Sequence, residues 1–292
     1  MDPGKLVLFA VGGLSTAAYL FIVSAGLSLV FGALRVINMA HGSLYMIAAF
    51  LTVVVASQIG LVTGFWAGLL VAVLLTGIIG AVIEIVVLRR VYREQHLIQL
   101  LGTYALTLVI AGAVRLIFGA SYRTIKPPFN GHIVIGGYDY AGYQLFMIAA
   151  ALVIAAGVYL MMFRTGLGRN IRAAVSDSEL LSASGVNVAR LYTTVFVIGA
   201  SLAALGGAIV APNQAVSGSM DTDVLVLAFA ISVIGGLGSI VGSLVGALIV
   251  GEVISFGLSN AYTNPYALAF VFIVMTAVLI VRPWGLFGRV EQ

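Results

Sequence analysis

No charged residue interrupts the chain between Lys5 and Arg35. That stretch is longer than the ~20 apolar residues needed to cross the hydrocarbon of a bilayer. Further apolar segments run over 41–58, 61–88, 98–119, 142–163, 190–211, 224–258 and 266–282. Only 8% of the residues are charged, against roughly 25% in a soluble domain, so the chain has too little polar surface to cover a globule. The reading is an all-α polytopic membrane protein forming one domain over 1–292. No small-residue cleavage site follows the first apolar run, which is therefore read as a retained span rather than a signal peptide. With no cysteine, neither disulfides nor thiolate metal sites are available.

Segment 224–258 is too long for a single crossing, and Gly235-Gly236-Leu237-Gly238-Ser239 divides it. The count is then about nine passes, or seven plus a deep re-entrant hairpin, with each pass taking ~20 residues. Orientation follows from the arginines: Arg89, Arg90 and Arg93 mark one short loop, Arg164, Arg169, Arg172 and Arg190 another, and Arg282 and Arg289 the tail. The positive-inside bias makes these cytoplasmic. Both the N-terminus and the loops 120–141 and 212–223 then lie outside, and the C-terminus inside. The net charge of +4 is read as a topology signal rather than a nucleic-acid footprint. Within the first outer loop, Val134-Ile135-Gly136-Gly137-Tyr138-Asp139-Tyr140 predicts a short hairpin. Gly-Ser-Leu recurs at 42–44 and 242–244, a weak sign of internal duplication.

Against this apolar background, Arg169 to Asn187 is a polar, helix-forming island between two spans. It is read as a short cytoplasmic helix held at the membrane, where a soluble partner could dock. Small residues form stripes inside the spans: Ser24, Ser28 and Gly32, then Gly238, Gly242 and Gly246 beside Ser239, Ser243, Ala247 and Gly251. Such stripes let helix backbones approach closely in lipid. Ordinary packing explains them, and so does a translocation path. The breaks at Val36-Ile37-Asn38-Met39-Ala40-His41-Gly42 and at Gly235 to Gly238 favour a path, because free backbone groups at membrane depth need protein or water around them. Ser28, Asn38, His41, Gly42, Ser43, Gly235, Gly236, Gly238 and Gly242 are its candidate residues.

Charges within spans are costly and usually face the interior. Arg35 and Glu84 lie near inferred cytoplasmic ends, where they can snorkel to the interface. His41 has no carboxylate or second histidine nearby in sequence, so a hydrogen-bonded structural role is favoured over metal or proton relay. Arg115 and Glu252 fall at similar depth near the outer face. They either pair or snorkel separately, and an interhelical pair is the expectation.

The lysines are Lys5 and Lys126, and neither stands in the Gly-x-x-x-x-Gly-Lys context of a P-loop. No nucleophile elbow or His-Glu-x-x-His site occurs either, so the chain reads as a non-enzyme without a cofactor or metal of its own.

Gly26-Leu27-Ser28-Leu29-Val30-Phe31-Gly32 through Arg35-Val36-Ile37-Asn38-Met39-Ala40-His41-Gly42-Ser43 resembles the first signature of the permease subunits of branched-chain amino acid ABC importers. Residues 169–187 with Ala189-Arg190-Leu191 and Phe196-Val197-Ile198-Gly199-Ala200 resemble that family's ATPase-docking loop. Ile234-Gly235-Gly236-Leu237-Gly238-Ser239-Ile240-Val241-Gly242 resembles its late glycine-rich motif.

The resemblance implies a type II importer permease fold in a bacterial inner membrane. It also implies a second, related permease as heterodimer partner, two cytoplasmic ATPases that bind the ATP, and a periplasmic binding protein. Arg169, Arg172, Ala173, Ala174, Ala183 and Gly185, in a loop of about 164–189, would dock the ATPase; Arg172 departs from the family's glutamate before the alanine pair. Arg123 and Lys126 would receive the binding protein, unless they are simply solvated charges. Branched-chain or related amino acids are the implied cargo. A urea or short-amide permease of the same machine is the alternative, and an ion-coupled carrier or channel is the reading from another class.

Overall fold

The computed structural model describes residues 3–288 apart from 93, 130, 136 and 137. In chain order the elements are α1 (Pro3–Leu34), α2 (His41–Ile59), α3 (Leu61–Ile83), a π turn at Glu84–Leu88, α4 (Arg89–Val91) and α5 (His96–Phe118). The hairpin β1 (His132–Ile135) and β2 (Tyr138–Ala141) follows, then α6 (Gly142–Arg164), α7 (Gly166–Ser176), α8 (Ser178–Ala183) and α9 (Val188–Val210). α10 (Met220–Gly235), α11 (Ile240–Leu258), a 3₁₀ turn at Asn264–Tyr266 and α12 (Ala267–Val281) complete the chain.

Among the described residues, 8 helical stretches are long and apolar enough to cross a membrane. α10 is not one of them: its 16 residues reach only about 24 Å at 1.5 Å per residue, short of the ~30 Å hydrocarbon core. The long segment 224–258 is thus a short helix and a full span, α10 and α11, turned about 236–239. The hairpin forms as the turn signal predicts, with Ile135 opposite Tyr138 and His132 opposite Ala141; its Gly136-Gly137 tip lies outside the described residues. Arg93 and Arg289 also lie outside them.

α1 is the central element. It runs antiparallel to α11, with Gly32 against Gly238 at one end and Gly13 and Ala17 against Gly251 toward the other. It also runs antiparallel to α9, which Gly26 meets at Gly199 and Val23 at Gly206. Without a hydrophobic drive between helices in lipid, such small-residue contacts are what hold spans together. The same logic joins α2 to α3, where Gly64 meets Ala56 and Gly68 meets Thr52, and α3 to α9, where Gly80 meets Ala200. α12 and much of α5 and α6 turn large apolar residues outward, including Ile280, Leu116 and Val153, as lipid-facing helices do.

One end of the bundle gathers the close of α1, the π turn, α7, α8, the start of α9, the 236–239 elbow and the tail to 288. Arg35 reaches Val175 O there, Tyr92 meets Tyr192 edge-on, and Leu286 and Phe287 donate backbone N–H groups to Ile234 and Gly235. Arg35, Arg89, Arg90, Arg164, Arg169, Arg172, Arg190 and Arg282 all fall at this end. The strands of the hairpin and the loops at 119–129 and 211–219 lie at the other.

Candidate translocation seam and docking face

α1 ends where Arg35 takes a left-handed conformation, φ 54°, and its N–H closes on Phe31 O at 2.8 Å. The chain then climbs back without helical structure through Val36 to Ala40. His41, the first residue of α2, donates from Nε2 to Val23 O at 3.0 Å. Val23 lies eleven residues before the end of α1, so the segment re-enters by about 16 Å, half the membrane thickness. Asn38 organises the return: its Oδ1 accepts from Ala40 N at 3.1 Å. Thr103 on α5 donates to Ile37 O at 3.3 Å.

The N-terminus of α10 meets α2 at this depth. The Gly42 backbone rests on the Asp221 carbonyl, and Ser43 Oγ donates to Asp221 Oδ2 at 3.3 Å. Asn38, His41, Ser43 and Asp221 are all buried. Toward the arginine-rich end, Ser28 Oγ lies 2.6 Å from Ser243 Oγ and 3.1 Å from Ser232 Oγ, joining α1, α11 and α10. Below that serine contact, Gly235 and Gly242 touch backbone to backbone, while Gly236 and Gly238 turn the elbow with φ 100° and 83°. The nine path candidates fall in two groups of one polar seam, Asn38, His41, Gly42 and Ser43 at the start of α2 against α1 and α10, and Ser28, Gly235, Gly236, Gly238 and Gly242 around the α10–α11 elbow. Asp221, Ser232 and Thr103 belong to it as well. Asp221 sat in a Ser-Gly-Ser-Met-Asp stretch that reads as an outer loop, and single hydroxyls in spans carry no periodic signal.

The polar island is two helices rather than one. Asp177 takes an extended conformation and its Oδ1 accepts from Glu179 N and Leu180 N, both at 2.9 Å; the N-cap that starts α8 thus ends α7. Thr165 caps α7 and Asn187 caps α9 in the same way. Ile171, Ala174 and Leu181 turn inward onto Leu29, Ala33, Leu191 and Val195 of α1 and α9. Ala174 is thus spent on the chain's own packing. Arg169, Ala173, Leu180, Ala183 and Gly185 are exposed. Arg172 folds back, donating to Met162 O and lying 5.4 Å from the Phe163 ring centre.

Three charge expectations change. Arg115 and Glu252 do not pair: Arg115 donates to Gly218 O at 3.4 Å, and the Glu252 carboxylate lies over Gly13 with Oε2 unpartnered. α5 packs on α2 while α11 packs on α1, so similar depth does not bring them together. Glu84 does not snorkel. It is fully buried, accepts from Arg89 Nε and Nη2 at 3.3 and 3.1 Å, from Thr193 Oγ1 at 2.7 Å, and from the Tyr92 hydroxyl at 3.2 Å. Burial, then the neighbouring Glu84 charge, pushes the Tyr92 hydroxyl pKa up, so it remains a donor. Arg123 is tied down, giving a 2.7 Å bond to Phe118 O and a backbone bridge to Val216, whereas Lys126 is exposed. Arg35 stays at the exposed rim, as a snorkelling residue does.

Residues 9–279 match the family described as the permease component of branched-chain amino acid transport systems. The chain belongs to that permease family. It is 29% identical over 293 residues to the high-affinity branched-chain amino acid transport system permease protein LivH of Escherichia coli K12, covering 96% of this chain and 94% of LivH. It is 28% identical over 293 residues to the corresponding protein BraD of Pseudomonas aeruginosa, covering 96% of this chain and 95% of BraD. No solved structure matches it. The permease is a multi-pass membrane protein that works by transport rather than as an enzyme, and ATP is bound by a partner ATPase.

Proposed function

We propose that this permease forms, with a second related permease, the translocation path of an ATP-driven importer for branched-chain amino acids in a bacterial inner membrane. The match over residues 9–279, with high-affinity branched-chain relatives aligned along nearly their whole length, carries this reading. The arginine-rich end faces the cytoplasm by the positive-inside bias, which leaves the N-terminus outside and the C-terminus inside. There α7 and α8 seat in the ATPase through Arg169, Ala173, Leu180, Ala183 and Gly185. The hairpin and Lys126 face the binding protein on the other side. ATP binding draws the ATPases together, α7 and α8 move with them, and the inner ends of α1 and α9 follow because their side chains are packed together.

The test is reconstitution with two ATPases, the second permease and the binding protein. ATP-dependent uptake of L-leucine that excess urea does not compete away supports the reading; uptake of urea or a short amide, or leucine uptake without ATP, overturns it.

A further inference from the structure

The start of α2 holds two buried side-chain atoms without a partner, Asn38 Nδ2 and His41 Nδ1, on residues 1% and 0% exposed. Leaving buried polar groups unmade is costly, and here one is a donor and the other an acceptor. Asn38 Oδ1 already bonds Ala40 N at 3.1 Å, so its amide is fixed at the start of α2. With His41 Nε2 donating to Val23 O, Nδ1 of the neutral ring carries a lone pair. The α2 N-terminus adds the positive end of a helix dipole, with the His41 N–H already bonded to Asn38 O at 3.2 Å. Across a backbone contact from Gly42 stands the Asp221 carboxylate, 3% exposed and held by Ser43 Oγ at 3.3 Å and Thr222 N at 2.8 Å. An unpartnered donor and an unpartnered acceptor at the start of α2, and a buried carboxylate of α10 in contact with the same turn, thus occur together at one level, halfway along α1.

We propose that this point reads the zwitterion of an α-amino acid in transit. Asn38 Nδ2 and the first turn of α2 take the α-carboxylate; Asp221 and His41 Nδ1 take the α-ammonium. The proposal rests on the amino-acid importer reading above and locates selectivity within the permease as well. In the present conformation the point is shut, because Gly42 sits on the Asp221 carbonyl and Ser43 latches the carboxylate. The ligand enters when α10 parts from α2. The aliphatic side chain is not read here.

The experiment uses the assembled transporter in nanodiscs without binding protein. Radiolabelled L-leucine is displaced by unlabelled leucine, by 4-methylpentanoate, which lacks the ammonium, and by 3-methylbutylamine, which lacks the carboxylate. Leucine should displace best. Asp221→Asn should weaken leucine roughly ten- to a hundredfold, the worth of a buried charged hydrogen bond, and leave 4-methylpentanoate unchanged. Asn38→Ala should weaken leucine and 4-methylpentanoate while sparing 3-methylbutylamine. Should Asp221→Asn fail to assemble, Ser43→Ala, which frees the carboxylate from its latch, should alter leucine and not 4-methylpentanoate. Equal loss for all three ligands, or wild-type transporter that imports leucine yet never binds it without binding protein, overturns the proposal and leaves a structural polar seam only. Failure of ATP-dependent leucine uptake in the complete system would instead sink the importer reading itself.

Discussion

Glu84 and Arg89 lie five residues apart across a π turn, and Arg89 Nη2 stands 3.1 Å from Glu84 Oε2 with side chains 0% and 40% exposed for Glu84 and Arg89 respectively. In a regular α-helix, residues four apart share a face; the extra residue of the π turn brings the fifth around instead. Thr193 on α9 shares the same carboxylate oxygen, so the turn fastens α3 to the start of α9, directly after α8.

The two partners are not equivalent. Arg89→Ala removes the cation beside a fully buried carboxylate, leaves it Thr193 and Tyr92 as donors, and should cost about 2–3 kcal/mol, the worth of a charged hydrogen bond. Glu84→Gln keeps an acceptor and lets Arg89 turn to water, for a loss of ~1–2 kcal/mol. Thermal unfolding of the purified permease in one detergent should rank Arg89→Ala below Glu84→Gln; the reverse order would contradict the burial asymmetry.

The docking helices separate two effects that alanine-rich sequence merges. Leu180→Asp and Ala183→Trp change exposed positions and should abolish co-purification of the ATPase while leaving the permease's melting temperature unaltered. Ala174→Trp must instead force apart α7 and the ends of α1 and α9, an overpacking loss of ~1–3 kcal/mol. Retained ATPase binding in both exposed variants would remove this face as the docking surface.

Glycine replacement offers an internal control. A Cβ on Gly42 would collide with the Asp221 carbonyl, and one on Gly235 with Gly242 backbone; alanine at either should lower stability and cut uptake severely. Gly112 and Gly157 have nothing within 4 Å of a Cβ. Alanine there should be neutral or stabilising by up to ~1 kcal/mol through helix propensity. Equal tolerance at all four positions would mean the seam helices are not in contact.

At the opposite end of the bundle, Lys126→Glu should slow association with the binding protein in a salt-dependent way and leave stability alone, because rim charges act on encounter. Arg123→Glu removes the bond to Phe118 O and should lower stability with little specific effect on association. Stopped-flow association at two ionic strengths, alongside melting curves, distinguishes them.

Depth along the membrane was legible from sequence; direction around each helix was not. Apolar length and arginine placement locate the spans, the elbow at Gly235 to Ser239 and the break at Asn38, since each depends on local chemistry alone. The pairing of β1 with β2 is equally local. Pairing Arg115 with Glu252 needed to know that α5 and α11 have different neighbours, which no local pattern states. Reading Glu84 as snorkelling missed the π turn because Glu84-Ile85-Val86-Val87-Leu88 carries no residue that demands one. Asp177 is the opposite case: a carboxylate within a polar run is a helix N-cap signal, and a closer reading of Asp177-Ser178-Glu179 divides the island into two helices.

The antiparallel pair α1 and α11 is fastened near both extremities, by Gly32 against Gly238 at one and by a 2.6 Å bond from Ser255 Oγ to Phe9 O at the other. The two therefore behave as a single stiff rod through the bilayer. Ala33, near the foot of that rod, is packed in one cluster with Ile171 and Ala174 of α7 and Leu181 of α8. With the ATPase seated on α7 and α8 as proposed, a shove delivered there would arrive on the far side as tilt, with no relay of side-chain rearrangements needed in between.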